Sequence, residues 1–259
     1  MTSLVFITGA SSGIGQALAL RYYAAGFRLA MVARRTAEVQ AWAQAQSMAP
    51  DRFQIYAADV SDIDAIVEAG QACIAIQGLP DIVIANAGIS IGMDTAERSD
   101  LEVMRQTLAT NNVGLAATFH PFVRAMTQRG SGTLVGIGSV AGIRGLPGHG
   151  AYCASKAAVI SYCESLRGEL KVSGIKVVTI CPGYIDTRLT RQNRYAMPFL
   201  MTSGDFAQHA FAVIQAGRSY CVIPWQMGLV AKLLRVLPNS LFDKAFAGRS
   251  RKQRQPKLL

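Results

Sequence analysis

"VFITGASSGIGQAL", residues 5 to 18, passes from an apolar, strand-like run through Gly9, Gly13 and Gly15 directly into a helix-forming stretch. Glycines at a strand-to-helix turn let the backbone approach a ligand closely, and the unsatisfied N–H groups at a helix start attract phosphate. The stretch therefore predicts a pyrophosphate-binding loop inside a β-α-β unit. Its spacing, G-x-x-x-G-x-G, departs from the common dinucleotide fingerprint, so taken alone it also fits a turn rich in small residues. The rest of the chain decides between the two.

Six more β-rich runs follow: "RLAMVA" (28–33), "FQIYAA" (53–58), "DIVIAN" (81–86), "GTLVGIGS" (132–139), "IKVVTIC" (175–181) and "SYCVIP" (219–224), with the first one extending over "SLVFIT" (3–8). Helical stretches separate them, so the pattern predicts an α/β fold, a Rossmann-type doubly wound sheet of seven parallel strands with helices on both faces. The 259 residues, 51% of them apolar, suffice for one core. Residues 1–224 are expected to form that single domain, and 225–259 a C-terminal helical extension with a basic tail. Residues 188–207, after the sixth strand, are expected to be a mobile substrate lid.

The formal net charge is +10, and five cations, Arg249, Arg251, Lys252, Arg254 and Lys257, fall in the last eleven residues without an acid among them. These cations have no interleaved aromatics, which argues against a nucleic-acid partner. The five cysteines, Cys73, Cys153, Cys163, Cys181 and Cys221, are odd in number and lack metal-ligand spacing. They predict no metal and a reducing, cytoplasmic location. With the first strand expected from about residue 3 and no apolar run approaching the roughly 18 residues of a membrane span, neither export nor a spanning helix is expected.

Three positions carry the chemistry. Tyr152 and Lys156 in "GAYCASKAA" (150–158) are four apart, on one face of a helix. An adjacent ammonium favours the phenolate and moves the tyrosine pKa from about 10 toward a range useful for acid-base work. Ser139, at the carboxyl end of the fifth strand, would donate to the same carbonyl oxygen as Tyr152, where negative charge develops as hydride arrives. At the end of the second strand, Arg34 and Arg35 stand where an NAD site usually offers an acid to the ribose. Guanidinium groups bind a 2′-phosphate, so NADP(H) is expected, with Arg34 the leading contact and Arg35 the second.

With these in place the chain resembles the short-chain dehydrogenase/reductase family, in an NADP-preferring subgroup with an extended C-terminal region. The resemblance rests on "TGASSGIG" (8–15), "ADV" (58–60), "ANAG" (85–88), "TNNVG" (110–114), "GSVAG" (138–142), "YCASK" (152–156) and "PGYIDT" (182–187), all in family order. It implies Tyr152 as proton donor or acceptor, Lys156 on the nicotinamide ribose, Ser139 orienting the substrate oxygen, and Asn111 anchoring a water-linked proton relay. For the cofactor it implies Gly9, Ser11, Ser12, Gly13, Ile14 and Gly15 at the phosphates and Asp59 and Val60 at the adenine. Asn86, Ala87 and Gly88 fall beside the adenosine ribose, and Pro182, Gly183, Ile185 and Thr187 at the nicotinamide. The sequence departs from the family at Gly138, where a serine is usual, and at Ala85.

The apolar candidates for pocket walls, Ile89, Ile143, Leu146, Tyr184 and the segment 197–201, suit a hydrophobic carbonyl or secondary alcohol as substrate. A 3-oxoacyl carrier-protein reductase and a non-catalytic NADP(H)-binding sensor are the alternatives. Family resemblance implies a homodimer or homotetramer assembled through the helices of Asn111 and Tyr152. Segment 227–237, "MGLVAKLLRVL", is apolar except for Lys232 and Arg235. It fits either a peripheral contact of 225–259 with the inner face of a membrane, or a helix docked over the substrate pocket or on a neighbouring subunit.

Overall fold

The structure, a computed structural model, describes residues 2–191, 193, 196–248, 252 and 254. The first half alternates β1 (Leu4–Thr8), α1 (Gly13–Ala24), β2 (Arg28–Ala33), α2 (Thr36–Ala45), β3 (Phe53–Ala57), α3 (Ile63–Gln77) and β4 (Ile82–Ala85). There follow α4 (Asp100–Leu108), a π-helical turn (Ala109–Val113), α5 (Gly114–Arg129), β5 (Gly132–Ile137), α6 (Gly150–Leu170) and β6 (Ile175–Pro182). The chain continues through β7 (Ile185–Asp186), β8 (Met201–Thr202), α7 (Ser203–Gln215) and β9 (Tyr220–Ile223) to α8 (Trp225–Val236) and α9 (Asn239–Phe246).

Seven strands form one parallel sheet in the order β3-β2-β1-β4-β5-β6-β9, each within two residues of its expected bounds. All of β1 and β4 is buried, which is the pattern of strands covered on both faces. Alternation along β1 serves two cores. Val5 and Ile7 pack with Leu18, Tyr22 and Phe206 on the side of α1, α2 and α7. Leu4 and Phe6 face Ile66, Phe119 and Phe122 on the side of α3, α5 and α6.

The segment expected to be a lid is shorter than 188–207. Residues 203–207 open α7, because Thr202 accepts a hydrogen bond from the Asp205 N–H and caps the helix. Ahead of it, β7 and β8 pair in a small parallel sheet, Ile185 opposite Met201. What remains between them runs from 187 to 200, and residues 192, 194 and 195 lie outside the described residues.

Past Pro224 the expected helical extension consists of α8 and α9, with Pro238 as the N-cap of the second. Met227 and Ala231 of α8 are buried, and a Cβ on Gly183 would lie 2.7 Å from Met227 Cγ, so the helix is seated directly on the loop after β6. Among the described residues no helix is long and apolar enough to cross a membrane. Arg249, Arg251 and Lys257 of the basic tail lie outside the described residues.

Candidate active site

At the carboxyl ends of β1 and β4 the chain turns toward opposite sides of the sheet, and a cleft of about 660 Å³ opens there. Thr8 stitches its floor. Its Oγ1 accepts from the Asn86 N–H (3.1 Å) and the Ala87 N–H (3.2 Å), while Asn86 Nδ2 donates to the Thr8 carbonyl (2.9 Å). Gly9 (φ +70°) and Gly13 (φ +56°) adopt left-handed backbone; a Cβ would come 2.9 Å from Ala87 Cα at the first and 3.0 Å from Thr187 Cγ2 at the second. A Cβ on Gly15 would overlap the Gly9 carbonyl. Ser12 is the N-cap of α1, whose first turn holds no acid. The result is a backbone-walled cradle at a helix N-terminus, which fits a pyrophosphate.

The cleft collects nearly every residue assigned to the cofactor. Gly9, Ser11, Ser12, Gly13 and Ile14 line it, as do Arg34, Arg35, Asp59, Val60, Asn86, Ala87 and Gly88. Pro182, Gly183, Ile185 and Thr187 complete its far end beside Ser139, Tyr152 and Lys156. Gly15 stands behind the loop as a packing glycine. At the rim, Arg34 Nη1 lies 3.2 Å from Asp59 Oδ2, whose carboxyl the Ser61 hydrogen bonds and this arginine hold below the usual range despite its burial. Arg35 reaches Ser11 Oγ (3.3 Å) and pairs with Glu38 (2.8 Å). Arg35 thus stands over the phosphate loop and Arg34 over the adenine side.

Tyr152 and Lys156 lie in the first two turns of α6, and the short 3₁₀ turn after Ser139 rests on that helix. A Cβ on Gly142 would sit 2.6 Å from the Lys156 carbonyl, so only a glycine lets the turn approach so closely. Ser139 Oγ accepts from the Ala141 N–H (3.1 Å), which occupies a lone pair and leaves its O–H to donate elsewhere. Lys156 is buried and donates to the Ile137 carbonyl (2.8 Å), with its ammonium 5.8 Å from the Tyr152 ring centroid. The expected depression of the tyrosine pKa by Lys156 is not what this arrangement produces. Burial pushes Tyr152 up to about 12 against the opposing effect of the Ser139 hydroxyl, and burial also brings Lys156 down to about 8.

Asn111 occupies the π-helical turn between α4 and α5 and is buried behind the cleft. Its Oδ1 accepts from the Ile89 N–H (2.8 Å), and its Nδ2 donates to the Ile89 carbonyl (3.0 Å) and Ser155 Oγ (2.9 Å). The side chain is thereby committed to fixing the backbone after β4. Sequence reasoning assigned no role to Thr8 or Ser155; both lie inside the quoted motifs, but the groups they hold are 44 to 79 positions away.

A match to the family model of short chain dehydrogenases covers residues 3–197. The chain belongs to the short chain dehydrogenase family. It is 39% identical over 239 residues to an uncharacterized oxidoreductase of Myxococcus xanthus, covering 92% of this chain and 94% of that one. A 3-ketoacyl-ACP reductase from Sinorhizobium meliloti is similar at 29% identity and a TM-score of 0.77, over 88% of this chain and 99% of that one. A serine dehydrogenase in its closed form with NADP+ is similar at 28% identity and a TM-score of 0.72, over 81% and 88% of the two chains.

In this short chain dehydrogenase the glycine at 138 has a local cause. A Cβ there would stand 2.9 Å from Cys181 Sγ on the neighbouring strand, closer than two such atoms pack. Cys153 is buried beside the site, as a filler would be. His149, which precedes α6, is buried, with its Nδ1 3.1 Å from the Pro147 carbonyl, and the next two residues, Gly150 and Ala151, approach Met93. Of the expected apolar walls Ile89 lines the cleft, joined by Leu189; Ile143, Leu146, Tyr184 and the segment 197–201 are outside its lining. Among the described residues no group of three or more metal-ligating side chains occurs.

The tail is not merely a solvated charge run. Arg254 Nε and Nη2 clasp Asp100 at 2.6 and 3.0 Å, with Glu97 at 3.6 Å. Lys252 donates to Asn193 Oδ1 (2.7 Å) and the Leu189 carbonyl (3.3 Å), and its charge, together with burial, lowers the His149 pKa. Two tail residues thus touch the loops after β4 and β6 and influence the loop after β5. Those are the loops around the Tyr152 end of the cleft.

Two outcomes are expected. Gly138→Ser should destabilise the fold by about 1–3 kcal/mol through overpacking, and Cys181→Ala in the same chain should restore more than half of it; equal melting temperatures for wild type and single variant would contradict this contact. Arg254→Ala should lower the melting temperature above the carboxylate range, because the nearly buried Asp100 carboxylate loses its clasp. Arg254 and the Asp94 N–H hold the Asp100 pKa down, so this stabilisation is present at neutral pH and fades as pH falls through that lowered value. Melts of both chains against pH should therefore converge in acid.

Proposed function

We propose that this short chain dehydrogenase interconverts a hydrophobic carbonyl compound and its secondary alcohol with NADP(H). The observation that carries this is one cleft with Ser139, Tyr152 and Lys156 at one end and two arginines, with an alanine in place of an acid at position 33, at the other. NADP(H), when bound, supplies or accepts the hydride. Arg34 and Arg35 would hold the 2′-phosphate, the glycine cradle would hold the pyrophosphate, and Ile185 and Thr187 would hold the nicotinamide end. Tyr152, with a pKa raised to about 12, is a phenol at neutral pH and is ready to donate its proton to the carbonyl oxygen. Ser139 donates to the same oxygen, since its own acceptor is engaged by Ala141. Lys156 keeps a positive charge beside the phenol and offers a donor to the ribose. The Asn111 side chain, bonded to both backbone groups of Ile89 and to Ser155, supports the relay by fixing the loop after β4.

The same reading places the enzyme in a reducing, cytoplasmic compartment, supported by five free cysteines among the described residues. Assembly as a homodimer or homotetramer through α4, α5 and α6 is supported by the exposure of Leu101, Val113 and Tyr162 there. The similarity to a 3-ketoacyl-ACP reductase favours a second reading, an acyl thioester as substrate, which a panel pairing thioesters with simple ketones separates.

Steady-state assays with NADPH and NADH test the proposal. Wild type should prefer NADPH, and Arg34→Ala with Arg35→Ala should raise the NADPH KM by roughly 10- to 100-fold while leaving NADH little changed. Tyr152→Phe should lower kcat by about 10²- to 10⁴-fold with cofactor binding retained. Turnover equal to that of Tyr152→Phe across a ketone panel would instead support the sensor reading.

The pH profile follows from the two buried groups. Lys156 carries its charge below about 8 and loses it above, so carbonyl reduction should be level through neutrality and decline as pH rises through about 8. Alcohol oxidation, which needs the phenolate, should keep rising into the alkaline range. Lys156→Arg should move the break in reduction upward by about one unit or more; an unmoved break would assign it to another group.

A further inference from the structure

Helix α8 is built with two unlike faces. Met227 and Ala231 are buried against the body of the protein, while Trp225, Leu229, Leu233 and Val236 are 67, 59, 65 and 78% exposed. At 3.6 residues per turn these four side chains fall within an arc of about 80°. Lys232 and Arg235 lie along one edge of that arc, and α8 contains no acid. Leu241 of α9 is also exposed, and Lys244 stands in its last turn. An apolar stripe this continuous is not what an isolated surface helix needs, and it has no partner within the described chain.

The stripe is held rigidly, close to the candidate substrate site. Arg144, shortly after the 3₁₀ turn that Ser139 caps, donates to the Arg235 carbonyl (3.0 Å) and Asn239 Oδ1 (2.9 Å), and its guanidinium lies 4.3 Å from the Phe242 ring centroid. On the same inner side, Met227 covers Gly183 at the end of the cleft.

We infer that the outer face of α8 docks the protein on an anionic lipid surface, with the stripe among the acyl chains and Lys232, Arg235 and Lys244 at the phosphates. Charge decides the occupant. A second copy seated face to face on this stripe would set Lys232 and Arg235 against the same cations with no acid on either copy of α8 to offset them, whereas a leaflet of anionic headgroups complements them. Lys252 and Arg254, engaged by Asn193 and Asp100, are not needed for this contact. The docking itself is independent of the reductase reading. Its consequence, that a hydrophobic carbonyl compound enters the cleft from the bilayer beside α8, rests on that reading.

Flotation of the full chain with phosphatidylcholine vesicles, with and without phosphatidylglycerol, tests the inference. Binding is expected to require the anionic lipid and to weaken in high salt. It should fall roughly tenfold or more with Leu229→Gln plus Leu233→Gln, and roughly fivefold for each of Lys232→Gln and Arg235→Gln. NADPH oxidation with a water-soluble ketone should be unchanged in all of these variants, so a dead wild type in that assay would count against the reductase reading alone. The docking inference is overturned if the wild type does not float with anionic vesicles, or if the double glutamine variant floats equally well. It is also overturned if, without lipid, the wild type sediments as a larger assembly that this variant splits, since the face would then belong to a second copy.

Discussion

Adjacent parallel strands whose crossovers leave toward opposite faces cannot both be covered at their carboxyl ends, and β1 and β4 are such a pair. The gap between them is open because of topology, before any side chain is chosen. What the side chains do is keep it open at a fixed width. Thr8 gives one hydroxyl oxygen to two backbone donors on the neighbouring strand, at Asn86 and Ala87, and Asn86 returns a bond to the Thr8 carbonyl. Leaving such buried donors unpaired costs about 1–3 kcal/mol each, so the floor of the cleft is locally over-determined. The glycine cradle rests directly on that floor, since Gly9 packs against Ala87 and Asn86.

The catalytic end is governed by burial more than by mutual charge. A lysine four residues beyond a tyrosine suggests an ammonium aimed at a phenol, and at the level of helix periodicity this holds. In three dimensions the ammonium is engaged by the Ile137 carbonyl, and both groups are desolvated, so each drifts toward its neutral form: the tyrosine upward, the lysine downward. A neutral phenol beside a donor hydroxyl is suited to protonating a carbonyl oxygen. The balance of these effects depends on solvent exclusion, which no spacing rule encodes.

How much was readable in the sequence follows from range. The strands, the phosphate loop and the Tyr152–Lys156 pair are local patterns with period or spacing, and each recurs in the structure at its expected place. Ser139 was reachable because a strand end precedes it. The partners that the reading missed are distant in sequence: Thr8 with Asn86, Asn111 with Ser155, Asp100 with Arg254. The glycine at 138 reads as a departure until β6 is laid beside β5 and Cys181 is found in the space a serine would need. The end of the segment 188–207 is helix for a local reason, the Thr202 cap at the start of α7.

The extension after Pro224 joins these two kinds of information. Its helices were visible as apolar periodicity, but periodicity cannot say which face is inward. The structure resolves this through small contacts: Met227 against Gly183, Arg144 against the last carbonyls of α8, Phe242 beneath the same guanidinium. With the inner face so assigned, the remaining apolar residues are necessarily outward. Beyond α9, Arg254 and Lys252 reach the segments after β4 and β6. The charged tail residues and the apolar helix are thus both anchored to loops at the carboxyl end of the sheet, the first through ion pairs and hydrogen bonds and the second through side-chain packing.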